Sequence, residues 1–404
     1  EVFAPIPFPV VKEEVSLFVE GDKLLDKSCR RNGTIVRDHM STANVARDLD
    51  YLRQAVGDSS LNFVGLSYGS YLGQTYAKLF PDKVGAVVID GVLDPEAWAN
   101  LDGDLPFSTV LRSDAGAQTT LEEFFRQCEA AGPGNCAFAP DSANRYDLLI
   151  ERLRQGPVLI TDPETGETFP YLYSFLVADT LGALYNPFGY AAAAEFLVFL
   201  ESQANPAALG AARVVMEEAT GLSQRREERR YPNFVEGFPA VACEDTTNPR
   251  GHNVWFETGK QATAEFGIFG ELWTWASSPC AVWSSFDDDV YKGPFATSTS
   301  NPVLVIGNLY DPATRYEGAV TARGLLSNSA LLTVDEPGHT SLGISGCAGF
   351  LTGVYLEDPA NGAQLDGALC PSEGNWFDLA ASQFASELGQ QFRTRLMEEI
   401  AFRP

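Results

Sequence analysis

Residues 65–69 read Gly65-Leu66-Ser67-Tyr68-Gly69, a G-x-S-x-G pattern. A serine hydroxyl is a weak nucleophile until a neighbouring base takes its proton. The flanks give the pattern its meaning. Leu61 to Leu66 is a short apolar run of strand type, and helical character follows from Tyr68 to Leu79, ending at Phe80-Pro81. Strand, sharp turn and helix is the arrangement that presents a serine at the tip of a strained turn. Such a turn crowds its neighbours, which accounts for the small residues Gly65 and Gly69. It also sets the Tyr68 backbone N–H at a helix N-terminus, where it can meet an oxyanion. The competing view is a glycine-rich turn with an idle serine.

The base must come from three histidines. Where such a turn carries a nucleophile, the chain order is serine, acid, histidine. His39 precedes Ser67 and is disfavoured. His252 lies in a helical stretch and reads as an ordinary hydrogen-bonded histidine. His339 stands just past the apolar run Ala330–Val334, in Glu336-Pro337-Gly338-His339-Thr340. Loops at the carboxyl ends of parallel strands are where ligand chemistry gathers. His339 is the expected base. The acid that would orient it should follow the preceding strand, and Asp311 in Tyr310-Asp311-Pro312-Ala313-Thr314 fits. Asp335 is the runner-up, placed awkwardly close in sequence to His339.

Strand and helix patterns must position these groups. Leu61–Leu66 and Lys83–Asp90 flank the helix at 68–79, a parallel pair with a right-handed crossover. A helix from about Thr42 to Val56 precedes them. Pro302–Gly307, a helix at Tyr316–Leu326 and Ala330–Val334 repeat the unit. Between them the texture is helical, with candidate helices at 121–130, 143–155, 173–184, 189–203 and 207–220. The expected architecture is an α/β core sheet interrupted by a large, mostly helical insertion. The divisions are 1–95 (core, with the serine turn), 96–297 (cap), 298–371 (core, with acid and histidine) and 372–404 (helical tail). Residues 1–40 read as an irregular lead. Asn32-Gly33-Thr34 is taken as a chance sequon. Arg225–Arg230 and Asp287-Asp288-Asp289 read as solvated segments, so no metal or cofactor is expected. Phe384, Leu388, Phe392, Leu396 and Ile400 form an amphipathic stripe expected to dock on the body.

A net charge of −26 disfavours nucleic acid and anionic membrane surfaces as partners. No apolar run approaches the ~20 residues of a membrane span. The acidic excess and seven cysteines suit an exported protein. The odd cysteine count leaves one over if the rest pair. The chain starts at Glu1 with no signal-peptide pattern, so removal of an upstream piece is expected.

The stretch Ser41–Pro95 resembles secreted, actinobacterial-type tripeptidyl-aminopeptidase-like α/β hydrolases. The resemblance continues through Ala242-Cys243-Glu244-Asp245, Cys280-Ala281-Val282-Trp283, Asp311-Pro312-Ala313-Thr314, Gly338-His339-Thr340-Ser341, Ser345-Gly346-Cys347 and Ala368-Leu369-Cys370. It implies Ser67, Asp311 and His339 as a triad, and disulfides Cys243–Cys280 and Cys347–Cys370. Cys128 with Cys136 would close a small local loop. Arg315 departs from the family, which often has proline there. The family's GGPG-type oxyanion loop and DPRG segment, which precede this point in relatives, do not occur here. By the resemblance Cys29 would pair in that stretch, and the strand entering Ser67 would be an exposed edge. An upstream segment or a complementing chain is therefore the expected partner.

The expected function is a secreted serine exopeptidase that releases short peptides from free N-termini. The helical cap would exclude long substrates. Glu244 and Asp245 are candidates to hold the substrate ammonium, against a plain reading as surface carboxylates beside a disulfide. Asp94 is a weaker candidate. The alternatives are an esterase or amidase acting on a small molecule, and a non-catalytic binding protein of the same fold.

Overall fold

The computed structural model describes residues 6–161, 168–202 and 234–378. The expected helix at 207–220, the Arg225–Arg230 cluster and the 384–400 stripe lie outside the described residues.

Five parallel strands form the sheet, in the order β1 (Leu61–Leu66), β2 (Val84–Asp90), β5 (Val303–Tyr310), β6 (Ser329–Pro337) and β7 (Ala368–Cys370). Alternation along the strands splits their side chains between two faces. Val87, Ile89, Val303 and Val305 face one layer with Ala46, Tyr76 and Ala319. Those three come from helices α2 (Thr42–Val56), α3 (Tyr68–Leu79) and α13 (Tyr316–Leu325). Ala86, Val88, Leu304 and Ile306 face the other layer with Ala348 and Tyr355 of α14 (Gly346–Glu357). Both faces are covered, so β2 is buried from end to end. The outer side of β1 pairs with no strand among the described residues.

Most of the described residues between β2 and β5 are helical. Its elements are α4 (Pro95–Ala99), α5 (Phe107–Val110), α6 (Ser113–Ala131), α7 (Ser142–Gln155), α8 (Tyr173–Leu184) and α9 (Tyr190–Ser202). Then come α10 (Phe234–Asp245), α11 (Asn253–Phe266) and α12 (Gly270–Trp275). A small antiparallel hairpin joins β3 (Val158–Thr161) to β4 (Thr168–Tyr171). These elements share one large apolar cluster that includes Phe124, Phe138, Leu184, Tyr190 and Trp255. Disulfides Cys128–Cys136, Cys243–Cys280 and Cys347–Cys370 are all formed. The last one pins β7, only three residues long, beside α14.

Two expectations are corrected. The lead is not irregular, because Val15–Asn32 forms an 18-residue helix, α1. Two of its four buried residues are Asp22 and Asp26, while Leu17 and Leu24 are exposed, so no apolar stripe marks it. It packs on the cap side. Phe18 meets Trp275 at 5.0 Å between ring centroids, and Asp22 bonds His252 Nε2 at 2.8 Å. Asp287 is not solvated. It is buried and accepts from the Ser41 N–H at 3.4 Å and Asn44 Nδ2 at 2.8 Å, closing the start of α2. Asp288 and Asp289 are exposed.

Residues 371–378 cross from the sheet to the cap. Trp376 donates from its indole to Glu336 at the end of β6 (2.7 Å) and from its backbone N–H to Gln127 Oε1 of α6 (3.0 Å). Phe377 packs edge-on to Phe124.

Candidate active site

Ser67 sits between β1 and α3 with φ 55° and ψ −120°, a conformation costly for any residue with a side chain. Its N–H donates to the Asp90 carbonyl at the end of β2 (2.9 Å), which ties the turn to the next strand. Gly65 is required: a Cβ there would lie 2.2 Å from the Gly69 carbonyl oxygen. A Cβ on Gly69 would meet nothing within 4 Å, so crowding among the described residues accounts for only the first of the two glycines. The Tyr68 N–H is among the first of α3, which have no partner within the helix.

Asp311 follows β5 and is 1% exposed. The N–H groups of Ala313 and Thr314 both donate to its Oδ1 at 2.8 Å. The Thr314 hydroxyl (2.9 Å) and the Thr340 N–H (3.1 Å) donate to Oδ2. His339 Nδ1 lies 3.0 and 3.1 Å from the two carboxylate oxygens. That contact fixes the proton on Nδ1 and leaves Nε2 as an acceptor. Burial pushes the Asp311 carboxyl upward, but the His339 charge and these hydrogen bonds outweigh it and hold it below its ordinary value. Burial pushes His339 downward, but Asp311 and then Asp90 outweigh it, and the imidazole titrates above its ordinary value. Asp335, the runner-up acid, lies inside β6.

The histidine loop is held from three sides. Gly338 has φ 117°, and a Cβ there would strike Ile344 at 2.7 Å and Pro187 at 2.9 Å. The His339 N–H donates to the Tyr185 carbonyl at the end of α8 (2.9 Å), and the two rings meet edge-on at 5.0 Å. Gly91 has φ 63°, and a Cβ there would lie 2.8 Å from Thr340 Cγ2 and 3.4 Å from His339 Cε1. Gly91 directly follows Asp90, whose carbonyl holds the Ser67 amide. The imidazole therefore lies beside the residue that follows Asp90. Ser67, Asp311 and His339 each follow a parallel strand, β1, β5 and β6, at its carboxyl end.

Comparison with known proteins agrees with this architecture. Residues 22–125 match the family described as alpha/beta hydrolase fold, and residues 264–370 match the one described as TAP-like protein. The chain is an α/β hydrolase. Among its relatives is serine protease Hip1 of Mycobacterium tuberculosis, 29% identical over 312 residues, or 75% of this chain and 56% of that one. Tripeptidyl aminopeptidase of Streptomyces lividans is 28% identical over 316 residues, 76% of this chain and 53% of that one. Carboxylesterase B of M. tuberculosis is 30% identical over 312 residues, 75% and 55%. The hydrolase thus spans about half the length of the curated relatives it matches.

A second polar network lies beneath the turn. The Tyr68 hydroxyl meets Thr42 Oγ1, which donates to Asp245 Oδ2 at 2.5 Å. Asp245 Oδ1 accepts the Thr42 N–H at 2.8 Å, and Trp98 Nε1 approaches Oδ2 at 3.3 Å. Burial and the Asp245 charge hold the Tyr68 phenol far above its ordinary value. Burial pushes Asp245 up to about 6. Glu244 accepts the Met40 N–H at 3.1 Å on Oε2, while its buried Oε1 has no hydrogen-bond partner among the described residues. Burial pushes Glu244 up to about 7; the Ser285 hydroxyl and the Met40 N–H oppose this, and the carboxylates of Asp287 and Asp38 add to it. Neither residue is a surface carboxylate: they are 5% and 1% exposed. Asp94 instead caps α4 through the N–H groups of Glu96 and Ala97.

Of the other histidines in the hydrolase, His252 is paired with Asp22, and His39 is exposed before α2. Among the described residues no three His, Cys, Asp or Glu are grouped to hold a metal ion. Asp90, Tyr185 and Thr314 contact Ser67, His339 or Asp311 without having been singled out from sequence. A carboxylate closing an otherwise apolar strand, as in Val84–Asp90, was the available signal for the first.

Proposed function

We propose that this hydrolase is a serine exopeptidase that releases short peptides from free N-termini. The observation that carries the reading is the Asp311–His339 pair beside Gly91, next to the Asp90 carbonyl that holds the Ser67 N–H. In this reading His339 Nε2 takes the Ser67 proton as the hydroxyl attacks the carbonyl. It then returns the proton to the leaving amine. Asp311 stabilises the imidazolium, and the Tyr68 N–H meets the oxyanion. The names of two relatives, a serine protease and a tripeptidyl aminopeptidase, support peptide substrates. Glu244 is the stronger ammonium candidate, because both Asp245 oxygens already accept hydrogen bonds. Three disulfides favour an oxidising compartment, so we read the protein as exported.

Tripeptide anilides with free and acetylated N-termini test this reading. Turnover of the free peptides alone is expected; equal turnover of both sinks the exopeptidase reading. The name of the third relative favours a second reading, hydrolysis of small esters, which simple ester substrates in the same panel detect. Failure of a fluorophosphonate to label Ser67 in the folded protein leaves the non-catalytic binding reading. We also read the outer side of β1 as pairing with a further strand from an upstream segment or a complementing chain. Hydrogen exchange in the full-length protein should then protect every amide from Leu61 to Leu66. Protection of alternate amides alone counts against it.

A further inference from the structure

We propose that Asp90 is a positioning residue that locks the His339 loop to the Ser67 turn and adds a second negative charge beside the imidazole. This inference rests on the Ser-His-Asp reading above and goes beyond it by adding a fourth group.

Asp90 ends β2, between the strands that carry Ser67 and Asp311. Its two ends do different jobs. The backbone carbonyl accepts the Ser67 N–H at 2.9 Å. The side chain reaches the segment just after His339. The Ser341 N–H lies 3.0 and 2.9 Å from its two oxygens, the Ser341 hydroxyl donates at 2.9 Å, and the Leu342 N–H donates at 2.8 Å. One residue thus holds the nucleophile turn by its main chain and the base loop by its carboxylate. The intervening Gly91 has no side chain to separate the two.

Asp90 is 0% exposed, and among the described residues no cation is among its hydrogen-bond partners. A buried carboxylate without a cation is costly. A neutral amide oxygen could accept from Ser341 and Leu342 at lower cost, so the charge calls for its own explanation. Two titratable groups act on or feel Asp90, namely Asp311 from the loop after β5 and His339 from the loop after β6, and Tyr185 packs on that His339 ring. Burial and the neighbouring Asp311 push the Asp90 carboxyl up to about 6, while donors from Ser341 and Leu342 oppose them. The Asp90 charge in turn raises His339. Imidazolium forms when the serine attacks, and the charge at Asp90 favours it alongside Asp311.

The test uses full-length wild type, Asp90→Asn and Ser341→Ala. Each is measured for kcat and KM on a substrate the wild type turns over, for the pH profile of kcat/KM, and for the rate of fluorophosphonate labelling of Ser67. Asp90→Asn should lower kcat roughly 10- to 100-fold with KM within about 2-fold, as expected when a reacting pair is misplaced by under an ångström. Its acid limb should move to lower pH, because removing a negative charge lowers the His339 pKa. Ser341→Ala keeps the charge and loses one donor. It should slow labelling several-fold, with the acid limb unmoved. An Asp90→Asn protein with wild-type kcat and an unmoved acid limb overturns the proposal. If that variant does not fold, unchanged labelling of Ser341→Ala overturns it. Absence of labelling in the wild type removes the triad reading itself, a distinguishable failure, and this inference with it.

Discussion

Two places in this molecule bury carboxylates against backbone N–H groups, with opposite electrostatic results. At the end of β5, Asp311 meets three backbone N–H groups, a hydroxyl and an imidazole, and is held below its ordinary value. At the end of α10, Glu244 has only the Ser285 hydroxyl and the Met40 N–H to oppose burial and is pushed up to about 7. Asp245, with Thr42 and Trp98 as partners, lies between them at about 6. Burial is similar in all three. The number and charge of the partners decide the sign. The loop after β5 is built to keep a charge, and the return from the cap leaves one nearly uncompensated.

Mutations can break this contrast. The largest effect is expected at Asp311→Asn, which should cost about 10³–10⁴-fold in kcat with the fold intact, because the imidazole loses the partner that fixes its tautomer. Steady-state kinetics beside circular dichroism checks this; an equal catalytic loss in Asp245→Asn would erase the distinction between the two sites. Asp245→Asn should instead act on stability, costing about 1–3 kcal/mol in urea unfolding by disturbing the Thr42–Tyr68 network.

A smaller effect concerns pH. Asp90 and Asp245 are pushed up to about 6, and Glu244 and Glu336 to about 7, chiefly by burial. Between roughly pH 4 and 7 the folded chain holds more protons on these groups than the unfolded chain does. Stability therefore falls as pH rises through that window. His339, raised when folded, acts in the same direction above its ordinary value. The melting temperature should be at least about 2 °C higher near pH 5 than near pH 7.5, and a flat profile would contradict the burial argument. The smallest change is expected from Glu244→Gln. It should leave stability at pH 7.5 equal or higher, within about 1 kcal/mol, and flatten the pH slope.

Periodicity revealed the elements whose apolar pattern faces a core. Leu61–Leu66 and Tyr173–Leu184 stand where that pattern puts them. It did not reveal α1, whose buried side carries Asp22 and Asp26 to pair with His252 and Arg37. Nor did it reveal β7, three residues held by a disulfide, or the hairpin of four-residue strands. The G-x-S-x-G turn and the loops of Asp311 and His339 were legible because each combines a residue type with a strand end. Asp90 was not, because its meaning depends on which loop folds over it. The burial of Glu244 and Asp245 was equally hidden, since it arises from contacts with residues some two hundred positions away.

The Tyr185 carbonyl, bonded to the His339 N–H, has a consequence for how such a fold could be rebuilt. A helical layer grafted from another scaffold would remove the anchor of the His339 loop itself, however well its new pocket suited a desired ligand. Residues 183–188 would have to travel with the core. So would the junction of Gln127 with 371–378, which closes the same seam from the other side. The border between exchangeable and fixed parts therefore runs through the helical layer, between the residues that bond the sheet's loops and those that do not.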